Sequence, residues 1–147
     1  MKARSSGHVV NIGSIAGCLP EQGVGVYGAT KAFLDAFSTS LYRELRGTGV
    51  HVSAVRAGSV ATEFQRAALE RPGGGRVPAE NLSIRPEQVA ERVVRLLRHP
   101  RRQVFVPWYV RFAPWLEPLF GWAIDRLGPV LLRRADSGSD AESAPIP

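Results

Sequence analysis

Three side chains early in the chain have types and spacing that suit proton transfer. Tyr27 and Lys31 are four residues apart, and Ser14 precedes the tyrosine by thirteen residues. Residues i and i+4 of a helix lie on the same face, so the phenol and the ammonium would be neighbours there. A phenol is a poor base at neutral pH, but a nearby ammonium favours its ionised form. The pair therefore suits proton exchange with a bound substrate.

Hydrophobic patterns predict the elements that would hold these residues. Residues 8–13 are rich in β-branched side chains, which predicts a short buried strand that ends at Ser14. Residues 26–46 have apolar side chains at three- and four-residue steps, which predicts an amphipathic helix that carries Tyr27 in its first turn. Residues 50–56 predict a second strand. The order strand, helix, strand is typical of a βαβ unit with parallel strands.

The predicted helix over 26–46 should have two packed faces. One face has the large side chains and another has the small ones, and we expect one of the two faces to pack against the sheet and the other against a second helix or subunit. We therefore expect homo-oligomers that form through this helix. The large residues are Tyr27, Phe33, Leu34, Phe37, Leu41 and Leu45, and the small ones are Gly28, Ala29, Ala32 and Ala36.

The second half of the chain predicts another strand–helix–strand unit. Residues 57–63 form the turn at the carboxyl end of the second strand, where ligands bind in open α/β sheets. A short helix to residue 70 and a mobile stretch over 71–83 would follow. Residues 86–98 predict a helix, and residues 103–106 predict a third strand. The apolar stripe of the helix 86–98 consists of Val89, Val93, Leu96 and Leu97.

The end of the chain changes in character. Aromatic side chains and arginines over 108–134 predict one or two short amphipathic helices, and residues 135–147 predict a disordered tail. The aromatic part could cap the core, cover a substrate pocket, pack at a subunit interface or contact a membrane surface. Together with the loop 63–83, the stretch 108–122 favours a hydrophobic or lipid-like carbonyl substrate.

Composition and charge argue against several functional classes. Of the 147 residues, 44% are hydrophobic and 22% are charged, a balance typical of globular proteins. The net charge is +6, but the arginines are scattered, whereas nucleic-acid-binding proteins more often have a dense basic stripe. We therefore expect no nucleic-acid partner. These scattered arginines include Arg43, Arg56, Arg66, Arg95 and Arg111.

The cysteine and histidine residues indicate the cellular compartment and bear on metal binding. Cys18 is the single cysteine, which fits a reducing compartment. No signal peptide or membrane-spanning apolar segment is evident, so we expect a cytoplasmic protein. His8, His51 and His99 do not have the spacing of metal ligands, and we expect no metal site.

These motifs together resemble those of the short-chain dehydrogenase/reductase family. The likeness rests on Val9–Gly17, on the pattern Tyr27-x-x-x-Lys31 and on Ala57–Thr62. The pattern Tyr-x-x-x-Lys is weak alone, but the serine and the Gly-x-Val-x-Thr motif at two strand ends make the combination specific. The likeness covers residues 7–107. It implies a partial Rossmann-like, doubly wound parallel sheet of about three strands with crossover helices, followed by C-terminal amphipathic helices.

The resemblance implies interconversion of an alcohol and a carbonyl compound with NAD or NADP. Tyr27 would be the acid/base, Lys31 would support it and contact the nicotinamide ribose, and Ser14 would hold the substrate oxygen. Ser14 could instead be only a turn residue, and Thr62 could also cap the next helix. The positions implied to contact the cofactor are Tyr27, Lys31, Ala57, Gly58, Val60 and Thr62.

The chain also departs from the family pattern. Ala57 stands where the family usually has proline, and the glycine-rich phosphate-binding turn is not found in the 147 residues. The residue that selects NAD or NADP is not found either. We therefore interpret residues 1–107 as the C-terminal half of a Rossmann-like domain and expect weak nicotinamide-nucleotide binding. The alternative is a truncated, non-catalytic fragment or interaction module.

Overall fold

The computed structural model describes residues 1–20, 24–63, 83–123 and 125–126. Strands and helices alternate through this part of the chain, as the sequence predicts. In chain order they are β1 (Gly7–Ser14), α1 (Gly25–Glu44), β2 (Val50–Ala57), α2 (Pro86–Arg98) and β3 (Gln103–Val106). Short 3-10 turns lie at Lys2–Arg4, Ile15–Gly17 and Trp108–Phe112.

The three strands form one parallel sheet in the order β1, β2, β3. Ser14 lies beside Ala57, and Ala57 lies beside Val106, so the three strands end at the same level. This parallel α/β arrangement confirms the predicted fold class. Within the described residues, β1 pairs with β2 alone, and β3 also pairs with β2 alone.

The two helices cover opposite faces of the sheet. Side chains alternate between the faces along each strand, so Val52 and Val55 point in opposite directions. Val52 clusters with Leu45, which follows the last residue of α1. Val55 clusters with Val106 and with Leu96 of α2. The carboxyl edge of the sheet therefore lies between two packed layers.

The inward face of α1 differs from the prediction. Phe33 and Phe37 lie on the outer face of the helix, where their side chains are 70% and 47% exposed and their rings stack 6.3 Å apart. The buried residues of the helix are Asp35 and Ser38. Each is tolerated inside because it has a polar partner. Ser38 Oγ accepts a hydrogen bond of 2.8 Å from the side chain of Asn11 on β1.

Helix α2 has the predicted bounds but a narrower buried stripe. Pro86 takes the first position, and the backbone N–H of Arg85 donates to Oε1 of Gln88 at 3.2 Å. Leu96 is 3% exposed, whereas Leu97 is 59% exposed. The predicted burial of Leu97 is wrong because consecutive residues are rotated by about 100° around a helix.

The chain divides into two compact units, Met1–Pro114 and Trp115–Pro147. The first contains the whole sheet with α1 and α2. In the second, the described residues 115–123 and 125–126 are helical. No helix in the described residues is long and apolar enough to cross a membrane. Large exposed apolar side chains of the second unit are Trp115, Leu116, Leu119, Phe120 and Trp122.

Several predicted segments lie outside the described residues. These are the body of the short helix up to residue 70, nearly all of the stretch 71–83, residues 127–134 and the tail 135–147. The domain boundary at residue 107 and membrane contact through 108–134 stay predictions.

Candidate active site

Ser14 ends β1 and begins the turn Ile15–Gly17. Its Oγ accepts a hydrogen bond from the backbone N–H of Ala16 at 3.2 Å, which makes this serine the N-cap of the turn. A hydroxyl that accepts one bond still has its own proton to donate. Ser14 is therefore a turn residue whose hydroxyl lies at the carboxyl edge of the sheet, where α/β proteins bind ligands.

Tyr27 and Lys31 lie in the first two turns of α1, and both side chains are half-buried. The Nζ of Lys31 is 5.5 Å from the centroid of the Tyr27 ring, within the range of a cation–π contact. The same ammonium donates to the backbone carbonyl of Ile12 at 3.2 Å. This bond ties the helix to β1 two residues before Ser14. The structure thus brings the lysine to the tyrosine, as their spacing predicts.

Two glycines let the turn Ile15–Gly17 approach α1 closely. A Cβ on Gly17 would lie 2.7 Å from the carbonyl carbon of Lys31, and a Cβ on Gly28 would lie 2.9 Å from the backbone oxygen of Ala16. Backbone atoms cannot easily move away from contacts this short, so both positions need glycine. Sequence reasoning missed this role, and the glycine directly after the tyrosine was the available signal.

The loop over 57–62 is anchored on two sides. The N–H of Gly58 donates to the carbonyl of Val106 in β3 at 2.8 Å. Val60 forms a parallel bridge with Ile84, where the described chain resumes before α2. These contacts hold the loop at the carboxyl edge of the sheet although it lacks the family's usual proline.

The two ends of this loop have different environments. Ala57 is buried in the sheet and is 6% exposed. Thr62 is exposed, and its Oγ1 donates to the carbonyl of Val60 at 3.4 Å. If Thr62 were the N-cap of the next helix, its hydrogen-bond partners would be residues after Glu63. Those residues lie outside the described part of the chain.

A buried ion pair lies close to the strand ends. The Nε of Arg56 on β2 is 2.9 Å from Oδ2 of Asp35 on α1, and the two side chains are 14% and 9% exposed. The atoms are in contact without the alignment of a hydrogen bond. The guanidinium also lies 5.4 Å from the ring centroid of Phe105. Gly13, beside Arg56 in the register, leaves space for both charged groups. Sequence reasoning missed this link between helix and sheet.

Cys18 follows the turn and is a protonated thiol in this setting. Burial raises its pKa most, while Arg56 lowers the pKa and Asp35 raises it by smaller amounts. The thiol donates to the carbonyl of Ile15 at 3.1 Å. Because the thiolate is the reactive form, this cysteine is a weak nucleophile.

The histidines lie apart from this arrangement. His8 Nε2 shares a hydrogen bond of 2.7 Å with Ser53 Oγ. Partial burial, and then the neighbouring His51, lower the pKa of His8. No group of three or more potential metal-ligating side chains occurs among the residues that the structure describes.

Comparison with known proteins bears directly on these residues. The family described as short chain dehydrogenase matches residues 1–73, which contain β1, α1 and β2 with Ser14, Tyr27 and Lys31. The chain belongs to the short-chain dehydrogenase/reductase family. This confirms the resemblance predicted from the motifs and makes the chain a member of an oxidoreductase family with a Rossmann-like fold.

Individual relatives of this chain agree with the family assignment. An NADP-dependent 3-hydroxy acid dehydrogenase of Escherichia coli strain K12 is 41% identical over 96 residues, which cover 63% of this chain and 39% of that protein. An uncharacterized oxidoreductase of Mycobacterium tuberculosis is 36% identical over 125 residues, which cover 83% and 47%. The closed form of a serine dehydrogenase complexed with NADP+ matches with a TM-score of 0.62 and 36% identity, covering 71% and 45%. The chain spans less than half the length of these relatives.

NAD or NADP is the cofactor class that these relatives support, and the nicotinamide end fits the residues present. The Lys31 ammonium has three donors, and the described structure uses one of them for the Ile12 carbonyl. The other donors remain for the hydroxyls of a ribose. Gly58, Val60 and Thr62 lie in the anchored loop at the same edge. These residues would hold the nicotinamide end of the cofactor.

Proposed function

We propose that this chain performs the proton transfer in an NADP-dependent reaction that interconverts an alcohol and a carbonyl compound. The observation that carries the proposal is the Lys31 ammonium, which lies 5.5 Å from the Tyr27 ring and 3.2 Å from the Ile12 carbonyl oxygen. In that position the ammonium contacts the tyrosine ring and ties α1 to the end of β1. Tyr27 then acts as the base in alcohol oxidation and as the acid in the reverse direction.

Each candidate residue has one task in this reaction. Tyr27 takes the proton from the substrate hydroxyl as the carbonyl forms, and Ser14 donates a hydrogen bond that orients the same oxygen. Lys31, beside the tyrosine ring, binds the ribose. A bound nicotinamide cofactor would supply the acceptor for the hydride that leaves carbon. In carbonyl reduction, Tyr27 returns a proton to the developing alkoxide.

We propose a 3-hydroxy acid as the substrate. This is the substrate class in the name of the Escherichia coli relative, and serine, named for the solved relative, also has its hydroxyl on carbon 3. The net charge of +6 is compatible with an acidic substrate. The alternative from the apolar content of 63–83 and 108–122 is a hydrophobic carbonyl compound. A reducing, cytoplasmic setting is part of the proposal, and the single cysteine supports it.

The purified chain should reduce NADP+ with 3-hydroxybutanoate and much more slowly with 2-hydroxybutanoate. The two acids have the same charge and atoms, so the difference reports the position of the hydroxyl. The absorbance of NADPH measures the rate of its formation. NADP+ is supplied at millimolar concentration, because we expect the chain to bind the cofactor weakly. A folded chain that oxidises neither acid nor a hydrophobic alcohol would contradict the proposal and favour the non-catalytic alternative.

The outer face of α1 supports a second part of the proposal, a homodimer through this helix. Val26, Phe33 and Phe37 are 84%, 70% and 47% exposed and follow one another at helical spacing. Ala29 and Ala36 on the same helix are also exposed, and their small size permits close approach. An apolar helix face of this kind can pack against its own copy about a two-fold axis.

Replacement of Phe33 and Phe37 with glutamate should weaken dimerisation by about 100-fold or more, since carboxylates would be buried without partners. Sedimentation velocity should show the change from dimer to monomer. Leu97→Glu is the matched control, because Leu97 is an exposed apolar residue on α2, on the other face of the sheet. A wild-type monomer, or a dimer that survives the double substitution, would contradict this part of the proposal.

A further inference from the structure

An arginine-lined cleft lies between α2 and β3 in the first compact unit. Its volume is about 370 Å³, within the range of small-molecule sites. Apolar side chains, including Leu96 and Val104, form part of its wall. None of the three proposed active-site residues lines it. The charged and aromatic residues that line the cleft are Arg92, Arg95, His99, Arg101, Trp108 and Arg111.

The arginines of this cleft form no ion pair with a carboxylate within the described part of the chain. No carboxylate is among its described lining residues. None of its four arginines is within 4.0 Å of a carboxylate oxygen there. The carboxylates of α2, Glu87 and Glu91, line a neighbouring groove, which Arg95, Arg98 and His99 also line. Like charges around a concave surface repel one another and focus a field that attracts anions.

Aromatic rings hold one of these arginines in place. The guanidinium of Arg111 lies 4.7 Å from the ring centroid of Phe112 and 5.8 Å from that of Trp108. Cation–π contacts orient a guanidinium without neutralising its charge. Trp108 is itself 61% exposed, so it can also contact a ligand in the cleft. Arg111 is therefore positioned before any anion arrives.

We propose that this cleft binds a small anion through two or more phosphoryl groups. A guanidinium donates two parallel hydrogen bonds to phosphate oxygens, and it retains its charge at any physiological pH. Four guanidinium groups have more positive charge than is needed to bind one carboxylate. Their charge matches that of a diphosphate. The arginines come from α2, from the link before β3 and from the turn Trp108–Phe112, so the folded unit builds the site. The inference does not depend on the proposed dehydrogenase reaction.

Inorganic pyrophosphate tests the site directly by titration calorimetry with the full chain. The variant Arg95→Gln, Arg111→Gln should bind pyrophosphate about 100-fold more weakly, at about tenfold for each charged contact removed. Both side chains are exposed, so the folded state should survive, and circular dichroism checks this. The matched control is Arg43→Gln, Arg98→Gln, which removes the same charge from exposed positions outside the cleft.

A second arm identifies the source of the phosphoryl groups. Co-sedimentation with vesicles of cardiolipin, whose headgroup has two phosphoryl groups, against phosphatidylcholine vesicles, detects binding to lipid headgroups. Binding in either arm that is lost in the cleft variant and kept in the control supports the site and shows whether its ligand is free or lipid-borne. Binding in neither arm would overturn the proposal. This outcome includes the case in which a second copy of the chain fills the cleft. Equal loss in both variants would overturn it too.

Discussion

Replacement of Tyr27 with phenylalanine should lower kcat for alcohol oxidation by about 10²–10⁴-fold, the usual contribution of a general acid–base group. The substitution removes the phenol oxygen and keeps the ring, so the 5.5 Å contact with the Lys31 ammonium can persist. The loss should therefore appear in catalysis rather than in folding. The measurement is the rate of NADPH formation with 3-hydroxybutanoate, with circular dichroism as the check on structure.

Tyr109→Phe is the matched control for this prediction. Tyr109 lies in the same compact unit and is 45% exposed, and its ring contacts Trp108 rather than a lysine. Removal of its hydroxyl should leave kcat within about twofold, as for surface substitutions in general. Equal rates for the wild type and the Tyr27 variant would remove Tyr27 from the acid–base role.

Replacement of Asp35 with alanine should lower the free energy of unfolding by about 3 kcal/mol, near the lower end of the range for breaking a buried ion pair. The substitution leaves the Arg56 guanidinium buried without its carboxylate, which was 2.9 Å away. The lower end applies because Arg56 remains 14% exposed and retains its contact with the Phe105 ring. Urea denaturation followed by circular dichroism measures the change.

The double variant Asp35→Leu, Arg56→Met separates the ion pair from general packing. Replacing both charges with apolar side chains of similar size is often neutral, because no charge is left buried and unpaired. The double variant should therefore be more stable than Asp35→Ala alone. If both are equally destabilised, the helix needs the aspartate for another reason. If Asp35→Ala costs less than about 0.5 kcal/mol, the ion pair does not contribute to holding α1 on the sheet.

Local sequence signals predict most of the fold described here. The bounds of α2 follow from Pro86 at its start and from His99 and Pro100 after its end, and these signals need no tertiary information. The neighbouring positions of Tyr27 and Lys31 also follow from helical spacing alone. The order of strands and helices was sufficient to predict the parallel sheet.

The buried face of α1 depends on residues that are distant in the sequence. Helical periodicity identifies which side chains share a face, but it does not say which face meets the sheet. Asp35 and Ser38 lie inside because Arg56 and Asn11, on two different strands, provide polar partners. A single sequence does not reveal these pairings, so it does not show that α1 turns a polar face to the sheet and the side chains of Phe33 and Phe37 outward.

The arginines illustrate the same limit at the surface. Residues such as Arg95 and Arg111 are well separated in the sequence, so they show no basic stripe. The fold places both on one cleft with Arg92 and Arg101. Linear spacing therefore argues against a basic run along one helix, but it does not exclude a basic site that several elements build together.

The close contact between the turn Ile15–Gly17 and α1 has a consequence for protein engineering. The spacing between the serine and the helix is set by main-chain atoms, since Gly17 and Gly28 place no side chain between them. If only Ser14, Tyr27 and Lys31 are grafted onto another scaffold, the functional groups are transferred without the backbone contact that sets the distance between them. A successful graft would have to copy that backbone contact, and a library made to alter substrate choice should keep both positions as glycine.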